Sequence, residues 1–348
     1  MDCDAGHMSV SWEFSEGAIS YVATAEGSNV QQCSANDTLC DITDLYCGET
    51  YTLSVYAIDD TCDSAESPSI TRRTASCIPQ NVHVQLDCDT NDASVLWSHT
   101  KGAVSYSTTA EGSDGHTVSC VTDNRECPIT NLQCGQGYNV TVTARDGVCD
   151  NSQSPQFVFH TAPCAPEDIS TSLNCDTKST SVAWEESDGA MWYITTAEGQ
   201  DGHISLCNTT GTSCHFMDLH CSQTYSLTVT AMDSYCQSVN TSVYETETAP
   251  CPPQNVHADS VAVTAFVTWE MSNLTVWYTA TAEGSDGHTA TCTTSDTNCL
   301  IPDLHCSQTY SISVLAFGET CSSLQGSSYE IYTGNTERER IFSNIILL

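Results

Sequence analysis

The chain has 348 residues, of which 39% are apolar and 8% aromatic, enough to bury hydrophobic cores and too much for a disordered polymer. Eight Lys and Arg against 44 Asp and Glu leave a formal charge of −36, which repels nucleic-acid phosphates and anionic membrane surfaces. Its 22 cysteines include no CxxC pair, so they read as the disulfide framework of an oxidising compartment and not as zinc ligands.

The opening residues, MDCDAGHMSVSW, have no charged-then-apolar export segment, and the natural beginning is expected to lie further upstream. SVSW, ending at Trp12, predicts a strand with a buried Trp, and SYVATA around Tyr21 predicts the next. AEGSNVQQ, at 25–32, then reads as a turn. Cys33 and Cys40 follow, and Leu45-x-Cys47-x-x-x-Tyr51 leads into YTLSVYA, which alternates at the two-residue period of a half-buried strand. RTASC closes the series at Cys77.

This series is then written three more times. Cys33 to Cys120 and Cys120 to Cys207 are each 87 positions apart, and Cys207 to Cys292 is 85. Trp97, Trp184 and Trp269 recur in step with Trp12. Tyr106, Tyr193 and Tyr278 follow Tyr21, while Tyr138, Tyr225 and Tyr310 follow Tyr51. Several short strands per repeat, separated by Gly, Asp, Asn and Ser turns with no sustained helical period, predict antiparallel β-sandwiches. The linkers RTASC, HTAPC and ETAPC set the expected boundaries: 1–76, 77–163, 164–250 and 251–335, followed by a tail at 336–348. The apolar tail IFSNIILL is far shorter than the ~20 residues of a spanning helix.

A Trp in the second strand, a Tyr in the third and the L-x-C-x-x-x-Y corner together resemble the fibronectin type III module with its tyrosine corner. The resemblance covers nearly the whole chain and implies seven strands, A, B, C, C′, E, F and G, in two sheets, with no catalytic activity. The expected fold is therefore all-β, a tandem array of four fibronectin type III-like antiparallel β-sandwiches. The first repeat begins inside strand B and lacks its strand A. Cys47, Cys134, Cys221 and Cys306 stand where the family commonly has proline, and its modules usually lack disulfides.

The most chemically suggestive motif is AEGSDGHT at 110–117 and 282–289, with AEGQDGHI at 197–204. Glu111, Asp114 and His116 could be metal ligands or a catalytic acid and base. Placed between strands C and C′, they read as a hairpin turn, with Gly112 and Gly115 expected to take positive φ and Glu111 and His116 to face each other as opposite charges. Two carboxylates on one loop are too few for calcium, and no nucleophile, base or oxyanion hole accompanies them. No catalytic, cofactor-binding or metal residue and no cofactor is assigned.

On a module of this type, Cys134 at the start of F and Cys149 beyond its end are separated by ~30 Å or more and cannot bond. The C′ and E cysteines flank one hairpin, giving Cys33–Cys40, Cys120–Cys127, Cys207–Cys214 and Cys292–Cys299. Cysteines assigned to a common pole give Cys3–Cys47, Cys88–Cys134 and Cys175–Cys221. The remainder pair as Cys77–Cys149, Cys164–Cys236 and Cys251–Cys321. Cys62 and Cys306 are then left over, the latter because Ser260 stands where Cys88 stands in the second repeat. Five N-x-S/T sequons, at Asn36, Asn139, Asn208, Asn240 and Asn273, are expected to be accessible to glycosylation.

These features favour a secreted, non-enzymatic repeat protein that mediates protein–protein interaction or spacing outside the cell. The partner would be an unidentified extracellular protein, with no nucleic acid and no membrane insertion of this chain. The alternative is an ectodomain of a membrane receptor or adhesion protein whose spanning segment lies outside these residues.

Overall fold

A computed structural model of the chain describes residues 6–147, 152–238 and 243–334. Among them every regular element is a strand, and the pairings are antiparallel. By internal contacts the chain divides into two units, Met1–Cys164 with Tyr235–Val239, and Ala165–Ser234 with Asn240–Leu348.

The first unit holds two sandwiches. In the first repeat, strand B (Met8–Ser11) pairs with E (Leu39–Ile42). The facing sheet runs C′ (Val30–Ala35), C (Ser20–Glu26), F (Thr50–Ile58) and G (Ile70–Arg73). No strand A precedes Met8 among the described residues. The second repeat sets A (His83–Leu86), B (Ala93–Leu96) and E (Glu126–Ile129) against C′ (Thr117–Thr122), C (Ser105–Gly112), F (Gly137–Arg145) and G (Phe157–His160).

The second unit has the same plan twice. A (Ser170–Leu173), B (Thr180–Ala183) and E (Ser213–Phe216) accompany C′ (Ile204–Thr209), C (Trp192–Gly199), F (Thr224–Met232) and G (Tyr244–Glu247). In the fourth repeat A (His257–Val261), B (Thr264–Thr268) and E (Asn298–Ile301) accompany C′ (Thr289–Thr294), C (Trp277–Gly284), F (Thr309–Phe317) and G (Tyr329–Tyr332).

Period-two patterning explains each core. Along F of the second repeat, Tyr138, Val140, Val142 and Ala144 are fully buried, while Asn139 between them is exposed. The Trp just past each strand B packs on the strand-C Tyr, with ring centroids 5.4, 5.0, 5.3 and 5.3 Å apart from the first repeat to the fourth. That Tyr in turn fastens the B–C loop: Ser187 N donates to Tyr193 Oη at 2.8 Å, and Ser272 N to Tyr278 Oη at 3.0 Å.

The disulfides follow a rule that the shared-pole reading missed. C′ and E are bridged by Cys33–Cys40, Cys120–Cys127, Cys207–Cys214 and Cys292–Cys299. The corner cysteines instead bond the linker cysteines 30 residues on, as Cys47–Cys77, Cys134–Cys164 and Cys221–Cys251, each with Cα atoms 4.9 Å apart. The A–B turn cysteines bond much further along the chain, as Cys88–Cys236 and Cys175–Cys321. These bonds replace the expected Cys3–Cys47, Cys77–Cys149, Cys88–Cys134, Cys164–Cys236, Cys175–Cys221 and Cys251–Cys321. Cys3 and Cys149 themselves lie outside the described residues.

Strand register gives the physical reason. G runs back along F with Thr50 opposite Arg73, Gly137 opposite His160 and Thr224 opposite Glu247. Three or four residues beyond those pairs, the corner cysteine meets the linker cysteine. Hydrogen bonds from Gly48 N to Ala75 O (2.7 Å), Gly135 N to Ala162 O (2.7 Å) and Ser222 N to Ala249 O (2.8 Å) hold the two segments together. The A–B turn does approach the corner, but through Asn91 and not Cys88. Asn91 Nδ2 donates to Leu132 O at 3.3 Å, and its Oδ1 accepts from Ala162 N at 3.0 Å. Cys88 is thereby left to Cys236, in the segment that the third repeat contributes to the first unit.

Cys62 and Cys306 are free and exposed. Ser260 is not the cause for Cys306, since corner cysteines do not pair with that turn. Thirty residues on from Cys306 stands Thr336, where the other corners find cysteine.

Candidate functional site at the tyrosine corner

The E-G-x-D-G-H turn and the tyrosine corner form one cluster in each of the last three repeats. Tyr138, Tyr225 and Tyr310, at the start of F, are fully buried, and each hydroxyl accepts a backbone N–H five residues upstream. The donors are Gln133 (3.0 Å), His220 (2.9 Å) and His305 (2.8 Å). The hydroxyl's own proton needs an acceptor, because a buried unpaired O–H costs about 1–3 kcal/mol. The turn histidine supplies it: His116, His203 and His288 Nδ1 each lie 2.9 Å from the tyrosine oxygen.

The turn chemistry is organised around this contact. Asp114, Asp201 and Asp286 Oδ1 accept from the backbone N–H of the histidine two residues on, at 2.9, 3.0 and 3.1 Å, which sets the histidine's orientation. Gly115, Gly202 and Gly287 take φ of 88°, 83° and 84°. Gly112 was expected to share that role and does not, since its φ is not positive. It is small for another reason: a Cβ there would lie 2.7 Å from Asp114 Oδ1 and 3.2 Å from the Tyr138 ring. Glu111 stays exposed opposite Thr117, so the expected Glu111–His116 charge pair is not made, and His116 turns to Tyr138.

In the third and fourth repeats a second histidine, at the corner itself, completes the cluster. Sequence reasoning missed it, although His220 and His305 both precede a corner cysteine. His220 Nδ1 lies 2.6 Å from Asp201 Oδ2, and His305 Nδ1 lies 2.6 Å from Asp286 Oδ2. The imidazoles stack in pairs, His203 on His220 at 4.1 Å and His288 on His305 at 4.0 Å. Hydrogen bonds from His220 first, then from the His203 backbone N–H, hold the Asp201 carboxyl below its ordinary range, and Asp286 is lowered in the same way by His305 and His288. Burial pushes the Tyr225 hydroxyl up.

The cluster is built to fasten a turn to a corner. Each Nδ1 is engaged, and lone pairs of stacked imidazoles lie in their ring planes, side by side and not converging on one point. Among the described residues no group of three or more His, Cys, Asp or Glu is arranged to hold a metal. In the first repeat the loop is shorter and Asn29 Oδ1 accepts a hydrogen bond from the Tyr51 hydroxyl.

The sequons fall on outward positions. Asn36, Asn139, Asn208 and Asn273 are exposed, and Asn240 lies outside the described residues. No helix among the described residues is long and apolar enough to cross a membrane.

Sequence comparison with known proteins agrees with this architecture. Residues 78–160 match the Fibronectin type III domain family. Over 336 residues the chain is 30% identical to Fibronectin type III domain-containing protein 7 of Mus musculus, covering 95% of this chain and 45% of that protein. The Homo sapiens protein of that name is likewise 30% identical over 337 residues, with the same coverage. The chain thus spans about half the length of the curated relatives it matches. Among solved structures, the chicken CNTN1 FN1-FN3 domains match at 13% identity with a TM-score of 0.30, covering 75% of this chain and all of that one.

Proposed function

We propose, for a chain whose residues 78–160 match the fibronectin type III domain family, a secreted, non-enzymatic role: its repeats present sheet faces and loops to extracellular protein partners or set the spacing between them. The observation that carries this reading is the cystine framework. Besides joining C′ to E between the two sheets of each repeat, it ties every linker cysteine to the preceding corner, and such bonds persist only under oxidising conditions. The polar clusters serve the fold: the histidines cap tyrosines, and the aspartates orient histidines.

The charge of −36 favours partners with cationic surfaces, whose association would weaken as salt screens it. Expression in animal cells tests the reading. The chain should appear in the medium with its cystines formed and most of its sequons occupied. Retention inside the cell with reduced thiols, or a secreted chain bare of glycan, overturns it. Immobilised intact chain should then capture extracellular proteins in a salt-sensitive manner.

A further inference from the structure

The third repeat differs from its neighbours on the outer face of its C′–C–F–G sheet. Strand C′ is the edge strand of that sheet, and its outward positions are Ile204, Leu206 and Asn208. The same positions hold Thr117, Ser119 and Val121 in the second repeat and Thr289, Thr291 and Thr293 in the fourth. In the first they hold Val30, Gln32 and Ser34. Ile204 and Leu206 are 57% and 65% exposed. On strand C the residue directly opposite Asn208 is Ile194, where the second and fourth repeats place Ser107 and Thr279. One edge of one sheet therefore carries an apolar stripe of Ile194, Ile204 and Leu206.

An exposed apolar edge strand invites pairing with another chain, because its free N–H and C=O groups and its side chains form a template together. Proteins blunt such edges with charge, proline, bulges or cover. Here one carboxylate borders the stripe, Glu198 directly opposite Ile204 on strand C, but Leu206 faces only Thr196 and the stripe ends on the sequon Asn208-Thr209-Thr210, on the same outward face. Leu206 is two residues from Asn208 along the strand, about 6.7 Å away, and Ile194 is its cross-strand neighbour at roughly 5 Å. The first sugar of an N-linked chain, with its acetyl methyl and C–H face, would lie against Ile194 and Leu206, and the sugars beyond it would reach Ile204, about 13 Å along the strand.

We propose that an N-linked glycan on Asn208 is the cover of this edge, shielding Ile194, Ile204 and Leu206 and blocking strand addition to C′. The inference rests on the secretory reading above. In the transfer, Asn208 Nδ2 bonds to the anomeric carbon of a lipid-diphosphate-linked oligosaccharide. The carbon–oxygen bond to the diphosphate breaks, the lipid diphosphate leaves with the electron pair, and the amide proton passes to a base.

The experiment uses the whole chain secreted from animal cells, as wild type, Asn208→Gln, Thr210→Ala and Asn36→Gln. Glycopeptide mapping should find Asn208 occupied in the wild type. Light scattering across a concentration series should show that Asn208→Gln and Thr210→Ala self-associate at least tenfold more tightly than wild type, with Asn36→Gln unchanged. Adding Ile204→Thr and Leu206→Thr to Asn208→Gln should restore wild-type behaviour. Should a variant not be secreted, glycosidase trimming of the folded wild type reads the same increase. A bare Asn208 beside other occupied sequons overturns this inference alone, as does trimmed or Asn208→Gln chain that associates no more than wild type. A chain with no sequon occupied overturns the secretory reading with it.

Discussion

The buried tyrosine hydroxyl is the residue-scale fact that explains the recurring turn. Tyr225 Oη accepts from His220 N and donates its O–H in a hydrogen bond to His203 Nδ1, so His203→Leu leaves a buried O–H unpaired. That variant should lose about 1–3 kcal/mol in urea unfolding. Tyr225→Phe should also destabilise, and the double variant should cost less than the sum of the singles by about 0.5–3 kcal/mol, since both remove one bond. Additive losses would sink the tyrosine-cap account. The aspartates add a pH dependence of known sign. Asp201 and Asp286 are held below their ordinary range in the folded chain by the histidine hydrogen bonds. A carboxyl lowered by folding contributes stability above its unfolded value, near 4, and loses it as pH falls through the folded value. Asp201→Asn should therefore be less stable at neutral pH and show a shallower decline in acid, read from thermal midpoints between pH 7 and 2.

At the scale of elements, much was legible and one relation was not. Alternation in YNVTVTA gave strand F with the correct inward residues, because a two-residue period has only one buried face to offer. The tyrosine corner and the turn were also readable from spacing. The corner-to-linker bonds were missed because cysteines were grouped by end of the sandwich within one repeat. The deciding relation is that G lies antiparallel beside F, so a residue shortly before F and one shortly after G must be neighbours. The constant separation of 30 residues was visible in the sequence and encodes that register. His203 acting on Tyr225 was less legible, since the pair is 22 residues apart and depends on a side chain turning inward from a hairpin. Replacing both Cys134 and Cys164 by Ser should cost about 2–4 kcal/mol by freeing a loop of that length in the unfolded chain. The F–G pairing itself should survive, because His160 and Gly137 remain in register. Loss of amide protection along G in hydrogen exchange, without loss along F, would show that the bond and not the ladder holds this edge.

At the scale of the whole molecule, the cystines overlap along the chain. Cys88–Cys236 encloses residues up to 236, and Cys175–Cys321 begins before that interval ends. Every peptide bond from Cys88 to Cys321 is therefore spanned by at least one cystine, and the stretch from Cys175 to Cys236 by both long ones. Fibronectin type III modules joined only by linkers would separate after one cut. This chain should not. A single proteolytic nick in an exposed loop, such as that holding Asp188 and Gly189, should leave one species of unchanged mass on a non-reducing gel and two fragments once reductant is added. Under the pairing inferred from common poles, every bond lies within one repeat, and Asp188 would sit inside Cys164–Cys236 and Cys175–Cys221 alone. The distinction comes from a second cut, introduced between Cys236 and Cys251, with the first kept. Cys88–Cys236, Cys175–Cys321 and Cys221–Cys251 keep all three pieces joined, whereas repeat-confined bonds would release the C-terminal piece without reductant. Release of that piece would refute the forward-reaching cystines, and its retention would leave the repeats of this chain linked through bonds other than their peptide linkers.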